Sequence, residues 1–396
     1  MVDISNIKTL AVIGAGTMGH EIAQVALMAG FENVILNDLN EEIIENASNK
    51  IKTNLNKLET KNLLNQGKSS VQLMKNLIKE KKLEKAVADA DFIVEAIPEK
   101  MELKKEIFKQ LGQYSPKHSI LATNTSTMSI TEIASNSGKP DKVVGMHFFT
   151  PIVVLRLIEV IKGKQTSDET MDIAIAVGQK LPALKGKRFI ARIKKESPGF
   201  IVNRLTIAGG AYFNWLLDYA MEKGIPFENL DADIGSLQEL GPYAKWDYLG
   251  LDVIYNVLKY FESVLSPDFA PGKVLTKLFN EGNLGRKTGK GIFEWTKDGK
   301  LKKIVAEKAN LINMEIFFAL QLNEGCKLLE EEIVSGYKVI DDTMFAGMDM
   351  PGPFGPGKRN YKKWSKLLED FVQTTGKNYF KPCNLMKSGD FLKMRI

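Results

Sequence analysis

Three histidines occur in the 396-residue chain, and one of them, His147, lies twelve residues before Glu159. His147 belongs to the apolar run Val143-Val144-Gly145-Met146-His147-Phe148-Phe149, and Glu159 to Leu155-Arg156-Leu157-Ile158-Glu159-Val160-Ile161. If these runs are adjacent antiparallel strands turning near Val153, the imidazole and the carboxylate face one another. An imidazole held and polarised by a buried carboxylate is a proton acceptor near neutral pH. The alternative is a core glutamate with an ordinary hydrogen bond, since acid–base pairs coincide with functional sites only statistically.

A second constellation suits a phosphate. Ile7 to Ile13 reads as a strand and runs directly into Gly14-Ala15-Gly16-Thr17-Met18-Gly19. A helix pattern follows from about Thr17 to Ala29, ending at Gly30, and then a second strand, Val34-Ile35-Leu36-Asn37-Asp38. The glycines allow a tight turn, close approach of backbone to a pyrophosphate, and close packing of helix on strand. The helix N-terminus adds free N–H groups and the positive end of a dipole. Asp38, 22 residues beyond Gly16, can accept hydrogen bonds from both ribose hydroxyls and would repel a 2′-phosphate, which favours NAD over NADP.

Strands alternating with helices must position these groups. Phe92 to Ile97 reads as a buried strand followed by a helix from about Met101 to Leu111. Ser119 to Asn124 is another strand, with a short helix near Ile130 to Ala134. Such alternation predicts a mostly parallel sheet with ligands beyond the carboxyl ends of its strands, where Asn124-Thr125-Ser126 and His147 would share one crevice. Between Asn40 and Leu83 the chain reads as a lysine-rich helical stretch with Lys50, Lys57 and Lys61 on one face. That face is either solvated or a basic arm over a polyphosphate substrate. His20, after the glycine loop, and His118, in a polar turn, read as structural or exposed.

With 44% hydrophobic and 26% charged residues, the chain has the balance of an ordinary globular protein rather than a disordered one. Its net charge of +6 is too diffuse to argue for nucleic acid, and no apolar run approaches the roughly 20 residues of a membrane span. The N-terminus lacks a secretory pattern. The two cysteines, Cys326 and Cys383, form neither a disulfide framework nor a metal-ligand spacing, so no metal and a cytoplasmic setting are expected.

Asn124-Thr125-Ser126, His147-Phe148-Phe149-Thr150-Pro151, Glu159-Val160, Ser197-Pro198-Gly199-Phe200-Ile201-Val202-Asn203-Arg204 and Gly285-Arg286-Lys287-Thr288-Gly289-Lys290-Gly291 occur in that order. In this the chain resembles the L-3-hydroxyacyl-CoA dehydrogenases over about three quarters of its length. The resemblance implies NAD-dependent, reversible oxidation of an (S)-3-hydroxyacyl-CoA to the 3-oxoacyl-CoA. By resemblance, His147 is the general base, Glu159 orients it, and Ser126 and Asn203 hydrogen-bond the reacting oxygen and thioester region. The cofactor falls to Gly14, Ala15, Gly16, Thr17, Met18, Gly19, Asp38, Glu99, Lys104, Ser126 and Lys287, and the CoA moiety to Asn54, Lys61 and Ser126. One position departs: many members carry Asn after His-Phe-Phe, where it helps place the cofactor, and Thr150 keeps a hydroxyl without the amide's reach. Alternatives are a same-fold dehydrogenase of a free hydroxy or sugar acid, and a non-catalytic nucleotide-binding assembly subunit.

From Ser197 the pattern becomes helical, and the last hundred residues read as a degenerate second copy. Leu230-Asp231 and Gly241-Pro242-Tyr243 correspond to Ile340-Asp341 and Gly352-Pro353-Phe354, and Phe269-Ala270-Pro271 to Phe380-Lys381-Pro382. The expected fold class is therefore an α/β Rossmann-type N-terminal domain with a mostly parallel sheet (1–195), an all-α C-terminal domain (196–295), and a second, degenerate all-α copy (305–396). This doubling also resembles the dehydrogenase part of multifunctional fatty-acid oxidation proteins. It makes a monomer feasible, with a homodimer as the alternative and a separate enoyl-CoA hydratase as a possible partner.

Overall fold

Short runs of apolar residues, buried on both faces, become the centre of an eight-stranded sheet. Its strands are β1 (Thr9–Ile13), β2 (Asn33–Asn37), β3 (Leu77–Glu80), β4 (Phe92–Glu95), β5 (Ile120–Thr123), β6 (Val143–Phe148), β7 (Leu157–Ile161) and β8 (Phe189–Ile193), in the order β3-β2-β1-β4-β5-β6-β7-β8. Every neighbouring pair is parallel except β6 and β7, which run antiparallel. The order reverses between β1 and β4, and a crevice for ligands opens at such a point beyond the strand ends. The computed structural model describes residues 2–64, 67–234, 240–302 and 305–396.

The chain divides into two compact units: Met1–Asn203 with Leu328–Gly352 and Ile396, and Arg204–Lys327 with Pro353–Arg395. In the first unit the sheet is packed by α1 (Thr17–Ala29), α2 (Glu41–Thr60), α3 (Ser70–Met74), α4 (Leu83–Val87), α5 (Met101–Tyr114), α6 (Ile130–Ala134) and α7 (Asp168–Lys180). Gly30 ends α1 in the left-handed region at φ 80°, a conformation that glycine adopts without a Cβ clash. One expectation is corrected here. The stretch from Asn40 to Leu83 is not helical throughout, because Leu77–Glu80 forms the edge strand β3 beside β2. Its two central residues, Ile78 and Lys79, are exposed, so no apolar run marked it; pairing with β2 decides its conformation.

Later helices are α8 (Val202–Lys223), α9 (Phe227–Ile234), α10 (Pro242–Leu249), α11 (Leu251–Val264), α12 (Lys273–Asn280), α13 (Met314–Glu330), α14 (Tyr337–Met348), α15 (Phe354–Thr375) and α16 (Asn384–Ser388). The segment 305–396 contributes to both units. Its α14 packs on β7 and β8 inside the first unit, so closely that a Cβ on Gly347 would come within 2.5 Å of Leu157. The Lys194 N–H, just past β8, donates to Ile333 O at 2.8 Å.

In the second unit, Asn214 of α8 donates to Ala270 O and accepts from Gly272 N, at 3.0 and 2.9 Å. Asn323 of α13 does the same, donating to Lys381 O and accepting from Cys383 N at 3.0 and 2.8 Å. Each asparagine clamps the chain that follows a buried phenylalanine, Phe269 or Phe380. Among the described residues no helix is long and apolar enough to cross a membrane.

Candidate active site

β6 and β7 pair with His147 opposite Glu159, so both side chains leave the same face of the sheet. His147 Nδ1 lies 2.7 Å from Glu159 Oε2, and the two residues are 4% and 0% exposed. A carboxylate only accepts, so Nδ1 carries the proton and Nε2 is left with its lone pair. The other carboxylate oxygen, Oε1, accepts from the backbone N–H groups of Ile201 and Val202 at 3.1 Å each. Those amides stand at the start of α8, whose N-terminal dipole favours an anion. Gly199 at φ 74° and Phe200 at φ 53° turn the chain sharply enough to present them. The Phe200 ring, fully buried, lies 5.7 Å from the imidazole and Phe149 lies 4.4 Å from it. A non-glycine residue in the left-handed region costs of order 1 kcal/mol or more, held here by this packing.

Beyond β4 and β5 a chain of charged groups fixes the neighbouring loop. Lys104 is 1% exposed, and its ammonium bridges Glu95 at 2.7 Å and Glu99 at 3.1 Å. Glu95 also accepts from Thr123 Oγ1 and Ile97 N–H, at 2.6 and 2.8 Å. Glu99 accepts from the Ser126 N–H at 2.8 Å, and Asn203 Nδ2 donates to Ser126 O at 3.3 Å. Both backbone groups of Ser126 are thus held, which fixes where its hydroxyl starts. Asn124 Oδ1 accepts from Phe148 N–H at 2.9 Å and ties this loop to the strand bearing His147.

The glycine loop fits a dinucleotide. Gly14 turns at φ 98° and lies so near Ala96 that a Cβ would meet its carbonyl at 2.6 Å, whereas a Cβ on Gly16 would meet only open space. Gly19 packs against the Gly14 carbonyl, where a Cβ would sit at 1.7 Å. No side chain caps α1 and no acid occupies its first turn, leaving a thirteen-residue helix with an N-terminus suited to phosphate. Asp38 follows β2 directly, with Oδ2 accepting from the Ala15 N–H at 2.9 Å.

Other expected residues lie as follows. Asn54 of α2 donates to Gln24 of α1 at 3.1 Å, and Lys61 is exposed just after α2. Lys287 belongs to the second unit, where its ammonium pairs with Asp252. His20 is buried with Nδ1 on Gly16 O at 2.8 Å, and His118 is exposed beside Asp91. Among the described residues no group of three His, Cys, Asp or Glu side chains converges as a metal site would.

Sequence reasoning passed over several residues. The Ile201 and Val202 amides and Glu95 lie in recognised runs with no role expected of them, and Asn124 was expected to line the crevice but not to tie its loop to β6. Arg204 likewise lies in the run from Ser197 to Arg204 with no role expected of it, and Glu21 and Glu324 were missed. Arg204 Nε donates to Glu324 at 2.9 Å and Lys327 donates to it at 2.7 Å, all within the second unit. The available signal was an acid or base inside an otherwise apolar helix.

Residues 9–190 match the family "3-hydroxyacyl-CoA dehydrogenase, NAD binding domain", and residues 199–295 match "3-hydroxyacyl-CoA dehydrogenase, C-terminal domain". A probable 3-hydroxybutyryl-CoA dehydrogenase of Deinococcus radiodurans is 35% identical over 287 residues, covering 72% of this chain and 99% of that protein. The crystal structure of 3-hydroxybutyryl-CoA dehydrogenase from Escherichia coli covers 98% of this chain and 99% of its own, with TM-score 0.82 and 26% identity. That of (S)-3-hydroxybutyryl-CoA dehydrogenase from Ralstonia eutropha covers 74% and 100%, with TM-score 0.64 and 31% identity. With both family domains in sequence order along its first three quarters, the chain belongs to the 3-hydroxyacyl-CoA dehydrogenase family.

Proposed function

We propose that the chain is an NAD-dependent (S)-3-hydroxyacyl-CoA dehydrogenase that interconverts a 3-hydroxyacyl-CoA, such as 3-hydroxybutyryl-CoA, and the 3-oxoacyl-CoA. The observation that carries this reading is the 2.7 Å bond between His147 and Glu159, with the carboxylate held from behind by two backbone amides. His147 Nε2 removes the proton of the substrate hydroxyl as the hydrogen on C3 departs with its electron pair. The glycine loop and Asp38 would hold NAD, which would supply the acceptor for that hydride. Glu159 stabilises the imidazolium and keeps Nδ1 as the protonated nitrogen. Ser126 and Asn203 would hold the reacting oxygen and the thioester region, Glu99 and Lys104 would serve the cofactor, and Asn54 and Lys61 would serve the CoA moiety.

The clamps made by Asn214 and Asn323 support a duplicated helical region, in keeping with modules at 1–195, 196–295 and 305–396. A second copy packed against the first makes a monomer self-sufficient, and sedimentation showing an obligate dimer through α8 to α12 would overturn that. A cytoplasmic setting, with a separate hydratase supplying the 3-hydroxy substrate, completes the reading. The deciding assay follows NADH absorbance with 3-oxoacyl-CoA thioesters of several lengths and with free 3-oxo acids. Turnover of the thioesters alone is expected; equal or better turnover of the free acids would refute the proposal.

A further inference from the structure

Glu21 lies one turn into α1, and its carboxylate reaches the loop between β6 and β7. It accepts from Thr150 Oγ1 at 3.1 and 3.2 Å and from the Ile152 N–H at 2.6 Å. Ile152 is fully buried whereas Thr150 is exposed, so one carboxylate anchors both the inner and outer parts of the turn. The two ends of this contact matter. α1 is the helix whose N-terminus suits the coenzyme phosphates, and the loop leaves β6 one residue beyond His147, carrying Phe149 against the imidazole.

The far side of the loop is fastened separately. Arg188 donates to Ile152 O and Leu155 O, at 2.8 and 2.5 Å, and also to Leu181 O and Pro182 O. Loss of the Glu21 carboxylate therefore frees the turn at Thr150 without releasing the loop as a whole.

We infer that Glu21 is a positioning residue that straps Thr150 and Ile152 to α1 and thereby sets the spacing between the coenzyme and His147. The Thr150 hydroxyl then donates to Glu21 rather than to a ligand. This rests on the dehydrogenase reading, so wild-type turnover of acetoacetyl-CoA with NADH is measured first. An inactive wild type overturns that reading and this inference with it; the variants test the inference alone.

In Glu21→Ala, kcat/KM for NADH should fall roughly 10- to 100-fold, the scale set by a misplacement of about 1 Å, with the fall appearing largely in KM. The pH profile of turnover should keep its wild-type shape, because the His147–Glu159 pair is untouched. Glu21→Gln can accept from Ile152 N–H and donate to the Thr150 oxygen, so it should stay within about threefold of wild type. Thr150→Val should move KM in the same direction, and adding it to Glu21→Ala should cost little more, as for two ends of one contact. A wild-type KM for NADH in Glu21→Ala overturns the inference. So does a Glu21→Gln variant as impaired as Glu21→Ala, or independent, multiplicative effects of the two sites.

Discussion

Replacing Glu159 by glutamine tests the site most sharply, because its geometry leaves the new amide one tolerable orientation. Oxygen towards Ile201 and Val202 preserves both N–H bonds and turns the amide NH2 towards His147 Nδ1. The reverse sets a donor against two buried backbone donors, at about 1–3 kcal/mol for each one left unsatisfied. The first orientation wins, and it makes Nδ1 an acceptor. The imidazole proton then sits on Nε2, the nitrogen that takes the substrate proton in the proposed mechanism. Recovering the active tautomer sets the imidazole Nδ1–H against the amide NH2 and leaves buried donors unsatisfied, at about 1–3 kcal/mol, and the imidazolium formed in the proposed reaction loses its counter-ion. A carboxylate-to-amide exchange beside a catalytic imidazole costs about 10⁴-fold in kcat in a comparable triad. The expected loss in Glu159→Gln is therefore about 10³- to 10⁴-fold in kcat, equivalent to roughly 4–5.5 kcal/mol. NADH affinity should be unchanged, since Glu159 is fully buried beneath the imidazole. Steady-state NADH oxidation with acetoacetyl-CoA, paired with a fluorescence titration of NADH, reads both quantities. A fall of less than tenfold in kcat, or one explained by lost NADH binding, would refute the tautomer argument.

Other perturbations follow from the same contacts. His147→Gln should bind NADH normally and lose about 10²- to 10⁴-fold in turnover, checked by the same pair of measurements. Asp38→Ala should raise kcat/KM for NADP relative to NAD; because Asp38 also accepts from the Ala15 N–H, NAD affinity should fall as well, and an unchanged cofactor ratio would place Asp38 away from the ribose. Glu324 lies fully buried, and the charges of Lys327 and Arg204 outweigh its burial and hold its carboxyl below the usual range. A lowered folded value stabilises the fold above the ordinary carboxylate pKa, and that contribution disappears as pH falls towards the folded value. Glu324→Gln should thus destabilise the second unit by about 3–5 kcal/mol near neutral pH, with the difference from wild type shrinking in acid. Denaturant titrations across pH would show this, and a gap that widens on acidification would contradict it.

Much of the site was legible in the sequence because its parts are local. The glycine loop, α1 and Asp38 fall within one strand–helix–strand unit, where turn chemistry and periodicity act over a few residues. The antiparallel facing of His147 and Glu159 followed from two apolar runs joined by a short turn. Contacts set by chain closure were not legible. The amides of Ile201 and Val202 come back to Glu159 from 42 and 43 residues away, and Arg204 meets Glu324 across 120. Lys104 is given to the cofactor by resemblance alone, and nothing local in the sequence shows that its ammonium lies buried between Glu95 and Glu99. β3 is a strand only because β2 offers it an edge, and the repeat in the sequence could not tell that α14 would join the sheet-bearing unit. The sequence by itself determined which residue types could exchange a proton and cradle a pyrophosphate. Only the tertiary structure decided which oxygen of Glu159 faces the imidazole, and which groups hold it there, because buried polar atoms take their partners from whatever the folded chain brings within hydrogen-bonding reach.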